Sequence, residues 1–344
     1  MKLTKQNQFV ILLNLFVCIL TIVVAKFILQ PGYAKKEEAT LAPHYGDDKF
    51  DMSKNFEFDV SDMSYSEKNT IDLVNKTYGS GITVLDSDFK ISDETLNKLN
   101  NIIDSYGQST SFYIVSLTDG MTVGYNVDRQ FETASSIKAP YAFYIYQEIT
   151  KGNIDPNQLI TYRESYWNEG TGVVKFSSFG STFTVKELLY YSINDSDNIA
   201  HMLLHGTFGV DGYNAMLREL GTKQLYLSPS GPWGFTSARS AAIVWHAIYN
   251  YSLESPDGIE FLNILSNGKY NYYKVVLPDT PSASKTGFAK KDVVETGIVF
   301  DARRPYIAIA MANKGGTVSA YSEVLKLIGC MDDIMTEYDA YLSK

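Results

Sequence analysis

Three short clusters of hydroxyl, amine and amide side chains stand in order along this 344-residue chain: Ser135-Ser136-Ile137-Lys138, Ser196-Asp197-Asn198 and Lys285-Thr286-Gly287. A serine three residues before a lysine shares a helix face with it, so the amine can reach the hydroxyl. The hydroxyl is a weak nucleophile until a base takes its proton, and a lysine serves once burial and a nearby cation lower its pKa. Lys285 is the obvious second cation, and N–H groups at a helix start suit a developing oxyanion. The first cluster alone has little weight, because Ser87/Lys90, Ser266/Lys269 and Ser282/Lys285 share its spacing. Only the Ser135 copy opens an amphipathic helical pattern, after Phe131 and Ala134, and each tripeptide occurs once. Three motifs in order, 61 and 89 residues apart, mark a candidate site for nucleophilic chemistry at a serine.

Other chemistry is weakly encoded. His201 and His205 have the i, i+4 spacing of a zinc pair, but position 202 is Met and no third ligand is evident. They are expected to pack beside Leu203 and Leu204, and neither a metal nor a cofactor is expected. There is no G-x-S-x-G, P-loop or G-x-G-x-x-G. Gly170-Thr171-Gly172 follows Tyr162, Tyr166 and Trp167, so this turn is equally fit to wall a cleft or to lie in ordinary core and surface.

These residues need rigid elements beneath them. Ser92-Asp93-Glu94-Thr95 caps a helix whose apolar positions Leu96, Leu99, Ile102 and Ile103 run to Gly107. Residues 111–117 and 121–125 read as a hairpin around Asp119-Gly120. A helix is expected from near Ala134 to before Gly152, with helical spacing again over 185–206, 213–220 and 238–250. The second motif falls on a loop entering a helix and the third on a strand. Strands over 293–300 and 306–312, then a helix near 319–327, close the chain. That order predicts an α+β architecture, in which both chain ends supply one antiparallel sheet flanked by helices, beside a helical subdomain of about 150–250.

Over about 95–330 the sequence resembles class A β-lactamases and the related penicillin-binding transpeptidase domains. Phe131-x-x-Ala134-Ser135-x-x-Lys138, the stretch Leu188 to Leu204 and Ser282-Ala-Ser-Lys-Thr-Gly-Phe288 carry the likeness. It implies the three-layer β-lactamase fold, with these residues lining a cleft between sheet and helical subdomain. By resemblance Ser135 is the nucleophile, Lys138 its base and Ser196 a proton relay. Asn198 would hold the substrate amide, Lys285 and Thr286 its carboxylate, and the Ser135 and Phe288 N–H groups the oxyanion, with Gly287 between. Asp197 is expected to be structural. One departure stands out: class A β-lactamases place a Glu between the second and third motifs to activate the deacylating water. Here Leu225 to Gly234 runs almost directly into Thr236-Ser-Ala-Arg-Ser-Ala241 without a Glu or Asp. Its loss implies a long-lived acyl-enzyme, because a positioned base contributes roughly 10² to 10⁴ in rate.

The rest of the chain bears on location. A net charge of −9 argues against nucleic acid as a partner. Residues 9–29 are nearly all apolar and long enough to span a bilayer, with Lys2 and Lys5 before them. The expected organisation is a short cytoplasmic N-terminus (1–8), a signal-anchor (9–29), a largely disordered acidic tether (30–88) and an extracytoplasmic hydrolase domain (89–344). Cleavage near Ala34 and secretion is the alternative. Cys18 then lies in the span, and Cys330 has no exported partner. The expected function is slow β-lactamase-type hydrolysis by a monomer. A D,D-peptidase or transpeptidase acting on peptidoglycan stem peptides and a non-catalytic β-lactam or cell-wall sensor are the alternatives.

Overall fold

The structure is a computed structural model that describes residues 81–85, 88–301 and 304–344. In chain order the elements are β1 (Thr83–Leu85), α1 (Asp93–Tyr106), β2 (Thr110–Ser116), β3 (Thr122–Tyr125), β4 (Phe131–Glu132), α2 (Lys138–Thr150), β5 (Leu159–Thr161) and β6 (Thr182–Thr184). They continue with α3 (Val185–Asn194), α4 (Asn198–Phe208), α5 (Asp211–Glu219), β7 (Phe235–Thr236), α6 (Ala238–Glu254) and α7 (Pro256–Ser266). The last are α8 (Tyr273–Val276), β8 (Ser282–Phe288), β9 (Val293–Val299), β10 (Tyr306–Ala312) and α9 (Thr317–Leu342).

The main sheet has the order β1-β3-β2-β10-β9-β8, and each neighbouring pair is antiparallel. The N-terminal strands thus meet the C-terminal strands at the β2–β10 pair, so both chain ends supply the one sheet, as the sequence pattern predicts. Every residue of β10 is buried, as befits a central strand covered on both faces. Its Ala308, Ala310 and Ala312 join the core beneath α1 and α9, together with Leu99, Val324, Leu327, Met331 and Ile334. Helix α6 packs against the sheet strands as well, and its Trp245 and Ile248 are buried.

Local signals explain most boundaries. The Ser92 hydroxyl accepts the Thr95 N–H, and α1 ends at Gly107. Thr184 and Glu187 form a reciprocal capping box at the start of α3. The helical spacing over 185–206 is divided between two helices, because Ser196 takes a left-handed φ of 51° that a helix cannot continue through. Helix α9 runs to Leu342, well past the expected 319–327. Its acids there are matched by α1: Glu337 accepts the Ser92 N–H at 2.8 Å and the Thr95 hydroxyl at 2.6 Å, and Asp333 pairs with Lys98 at 3.0 Å.

Thr83–Leu85 falls within the stretch expected to be tether, yet it pairs with β3 as an edge strand. The N-terminus 1–8, the apolar run 9–29 and the tether up to residue 80 lie outside the described residues. Among the described residues no helix is long and apolar enough to cross a membrane.

Candidate active site

Ser135 lies in a tight 3₁₀ turn, Ala134–Ile137, that runs straight into α2. Ala134 carries a left-handed φ of 44°, costing a non-glycine residue roughly 1–3 kcal/mol. The turn is pinned from both sides. Thr133 donates its N–H to the Gly234 carbonyl at 2.9 Å, and Ser136 donates its hydroxyl to the Thr133 carbonyl at 2.7 Å. Strand β8 presses from the other side at Gly287, where a Cβ would stand 2.1 Å from the Thr133 carbonyl oxygen. The third motif needs glycine here because a side chain would drive the strand off the nucleophile's turn.

Lys138 opens α2 with no exposed surface. Its Nζ donates to Ser135 Oγ at 2.9 Å, the Ser196 carbonyl at 2.6 Å, Asn198 Oδ1 at 2.7 Å and Ser196 Oγ at 3.3 Å. Burial, followed by the charge of Lys285, holds its pKa well below the usual lysine value, so the neutral amine is accessible as a base. Lys285 is also buried, and its Nζ donates to Ser196 Oγ at 3.1 Å. Burial lowers Lys285 to about 8, against the opposing charge of Glu295. Ser196 Oγ thus bridges the two amines.

The second motif is held by its middle residue. Asp197 accepts the Ala200 N–H at 2.9 Å as the cap of α4, and the Val173 and Val174 N–H groups at 2.6 and 2.8 Å. Gly172 passes so close that a Cβ would stand 2.1 Å from the Asp197 carboxyl carbon. This ties the Gly170-Thr171-Gly172 turn to the motif, and Thr171 donates its hydroxyl to the Ser196 carbonyl at 2.6 Å. The turn walls the cleft, while Tyr162 is core.

Two cavities of about 440 and 450 Å³ open beside Ser135 and share Ser135, Asn198 and Phe288. One is walled also by Ser196, Thr286, Tyr270 and Tyr272. The other is walled by Trp233, Phe235, Asn168 and Glu132. Sequence-expected residues Ser135, Lys138, Ser196, Asn198, Lys285, Thr286, Gly287 and Phe288 are thus brought together. Sequence reading missed Trp233, Glu132 and Glu295. Glu132 stands on β4 three residues before Ser135, outside all three motifs.

The loop between α5 and α6 contains no carboxylate over 220–236. Trp233 stands there with its ring centroid 5.3 Å from Lys138 Nζ. His201 anchors the loop, its Nε2 lying 2.9 Å from the Pro232 carbonyl oxygen and its ring edge-on to Tyr141. Burial and then Lys138 lower the His201 pKa to about 3, so the ring is neutral near pH 7 and donates from Nε2. His205 is likewise buried against Tyr141.

A buried amine on a serine hydroxyl, a bridging second serine and a second buried amine together form the kind of arrangement that acyl transfer through a serine requires. The family model of the beta-lactamase enzyme family matches residues 94–335, and the chain belongs to that family. It is 27% identical over 138 residues to beta-lactamase VEB-1 of Pseudomonas aeruginosa, covering 39% of this chain and 46% of that protein. The chain thus spans less than half the length of this curated relative. Among solved structures it resembles a beta-lactamase from Sphaerobacter thermophilus, with a TM-score of 0.62, 21% identity, 70% of this chain and 96% of the other. It resembles PBP-A with a TM-score of 0.63, 20% identity and the same coverage, which establishes the shared fold.

Proposed function

We propose that this serine hydrolase is acylated at Ser135 by β-lactams and by peptidoglycan-stem-like amides, and that the acyl-enzyme is long-lived. The observation that carries this reading is the Lys138 amine, buried, depressed in pKa and 2.9 Å from Ser135 Oγ. Ser135 Oγ bonds to the carbonyl carbon and the C–N bond breaks. The hydroxyl proton passes through Lys138 and Ser196 to the leaving nitrogen, while the Ser135 and Phe288 N–H groups hold the oxyanion. Slow release follows from the loop, where Trp233 stands and no carboxylate is available to activate water. Transfer to an amine, as in a D,D-peptidase or transpeptidase, then competes with hydrolysis.

Incubation with a fluorescent penicillin should label Ser135 and persist for hours. Label that survives Ser135→Ala would remove the assignment. One observation favours a second reading, weak β-lactamase turnover: among the described residues Glu132 is the one carboxylate lining either cavity. Release in seconds that is abolished by Glu132→Gln would establish that reading instead. We also propose that the domain stands outside a membrane on the apolar run 9–29, so protease added to intact cells should degrade it.

A further inference from the structure

Thr286 faces the cavity of about 450 Å³ beside Ser135. Opposite it on β9 stands Glu295, a carboxyl group with no exposed surface. Its Oε2 accepts the Thr286 hydroxyl, its Oε1 accepts the Tyr272 N–H at 3.2 Å, and Thr286 Oγ1 also lies 3.0 Å from the Tyr270 carbonyl oxygen. A hydroxyl has a single proton. With two acceptors behind it, one of them charged, that proton is directed away from the cavity. An incoming carboxylate then meets lone pairs, with a buried negative charge just beyond. A protonated Glu295 reverses this polarity: it donates to Thr286 Oγ1, and the threonine proton is free to turn toward the cavity.

We propose that Glu295 is a positioning residue that sets the polarity of the subsite at Lys285 and Thr286, and that capture of a carboxylate-bearing substrate there draws one proton from solvent onto Glu295. The proposal rests on acylation of Ser135 as described above. Burial pushes Glu295 up to about 7, against the pull of the Thr286 and Ser284 hydroxyls, the Tyr272 N–H and the charge of Lys285, so the proton is exchangeable near neutrality. The groups facing it are Lys285 from β8 and the Tyr272 and Tyr273 hydroxyls around the start of α8, while β10 presents the uncharged Ala310. An anionic ligand favours the protonated acid for the same reason that one of two neighbouring carboxylates gives way.

Opening of the lactam is itself proton-neutral, because the Ser135 proton ends on the ring nitrogen. Net proton exchange with buffer therefore reports on the subsite. The test is calorimetry of the full chain at about pH 7.5 in two buffers of different ionisation enthalpy, with a penicillin free acid and with its methyl ester. More than half a proton should be taken up per Ser135 acylated by the acid and almost none with the ester. Lys285, at about 8, supplies only about a quarter of a proton at that pH, so uptake below half would overturn the proposal. In Glu295→Gln the preference in labelling rate for acid over ester should rise severalfold at the same pH. A mere buttress, or a counter-charge for Lys285, predicts that this preference falls. Should the variant fail to fold, the proton count on the unaltered protein decides alone. If neither compound labels that protein, the acylation reading falls and takes the proposal with it, whereas labelling without proton uptake removes the proposal only.

Discussion

On the inner wall of the cleft Lys138 holds four oxygen acceptors within 3.3 Å, whereas on the outer wall the loop after α5 leaves Trp233 and Phe235 38% and 54% exposed. The inner wall is buried, polar and fully cross-linked, and two of its residues, Ala134 and Ser196, hold unfavourable backbone angles. The outer wall is aromatic and hydrogen-bonds mainly through backbone, at Gly234 and Pro232. On the proposed reading, preorganisation is thus concentrated where a carbonyl would be attacked and is absent where a hydrolytic water would need a base.

The largest expected break in this contrast is Lys138→Ala, which should slow penicillin labelling by about 10² to 10⁴, while Trp233→Ala should change it less than about threefold. A carboxylate placed on the outer wall sharpens the point: Trp233→Glu should speed release of bound label by about 10- to 100-fold. Unchanged release in a variant that still acylates would show that the outer wall is not what limits hydrolysis. The next effect is pH-dependent. Lys285 carries its charge below about 8, so above that pH its loss should add about tenfold per unit to the fall that Glu295 imposes on the labelling advantage of carboxylate-bearing over neutral lactams, with Lys285→Ala lacking this added step.

The smallest effect lies in neither wall but under α9. Buried Glu323 accepts the Thr110 hydroxyl at Oε1, while its Oε2 has no partner among the described residues. Burial pushes it up to about 8. Its folded pKa is raised, so its favourable contribution is complete below the unfolded value and is lost as pH rises through about 8. Glu323→Gln should therefore raise the melting temperature more at pH 9 than at pH 5, by about 2–4 °C for each kcal/mol of this linkage, with labelling unchanged. A differential scan across pH checks this.

The site was legible to the extent that chemistry sits in contiguous motifs. Ser135, Lys138, Ser196, Asn198, Lys285 and Thr286 each fall in a short pattern of distinctive residue types, and the capped helix α1 and the 110–125 hairpin carry strong local signals. Glu295 was illegible because its meaning depends on strand register: nothing near it in sequence announces that it faces Thr286. Trp233 reads as one aromatic among many until the loop places it over Lys138. The far half of α9 was hidden by its acids, which look like a solvated end until α1 supplies their partners.

The seam between β2 and β10 has a consequence for when the protein becomes reactive. Strand β2 pairs with β10, so Phe112 lies opposite Ala310, and β8 with its lysine reaches the Ser135 turn only as part of that late-arriving group. Pairings so distant along the chain form late, after the intervening segment has collapsed. A nascent or truncated chain therefore carries the serine without the surroundings that activate it. Nucleophilicity is acquired only on completion of the fold, and covalent labelling can serve as a clock for its last assembly step.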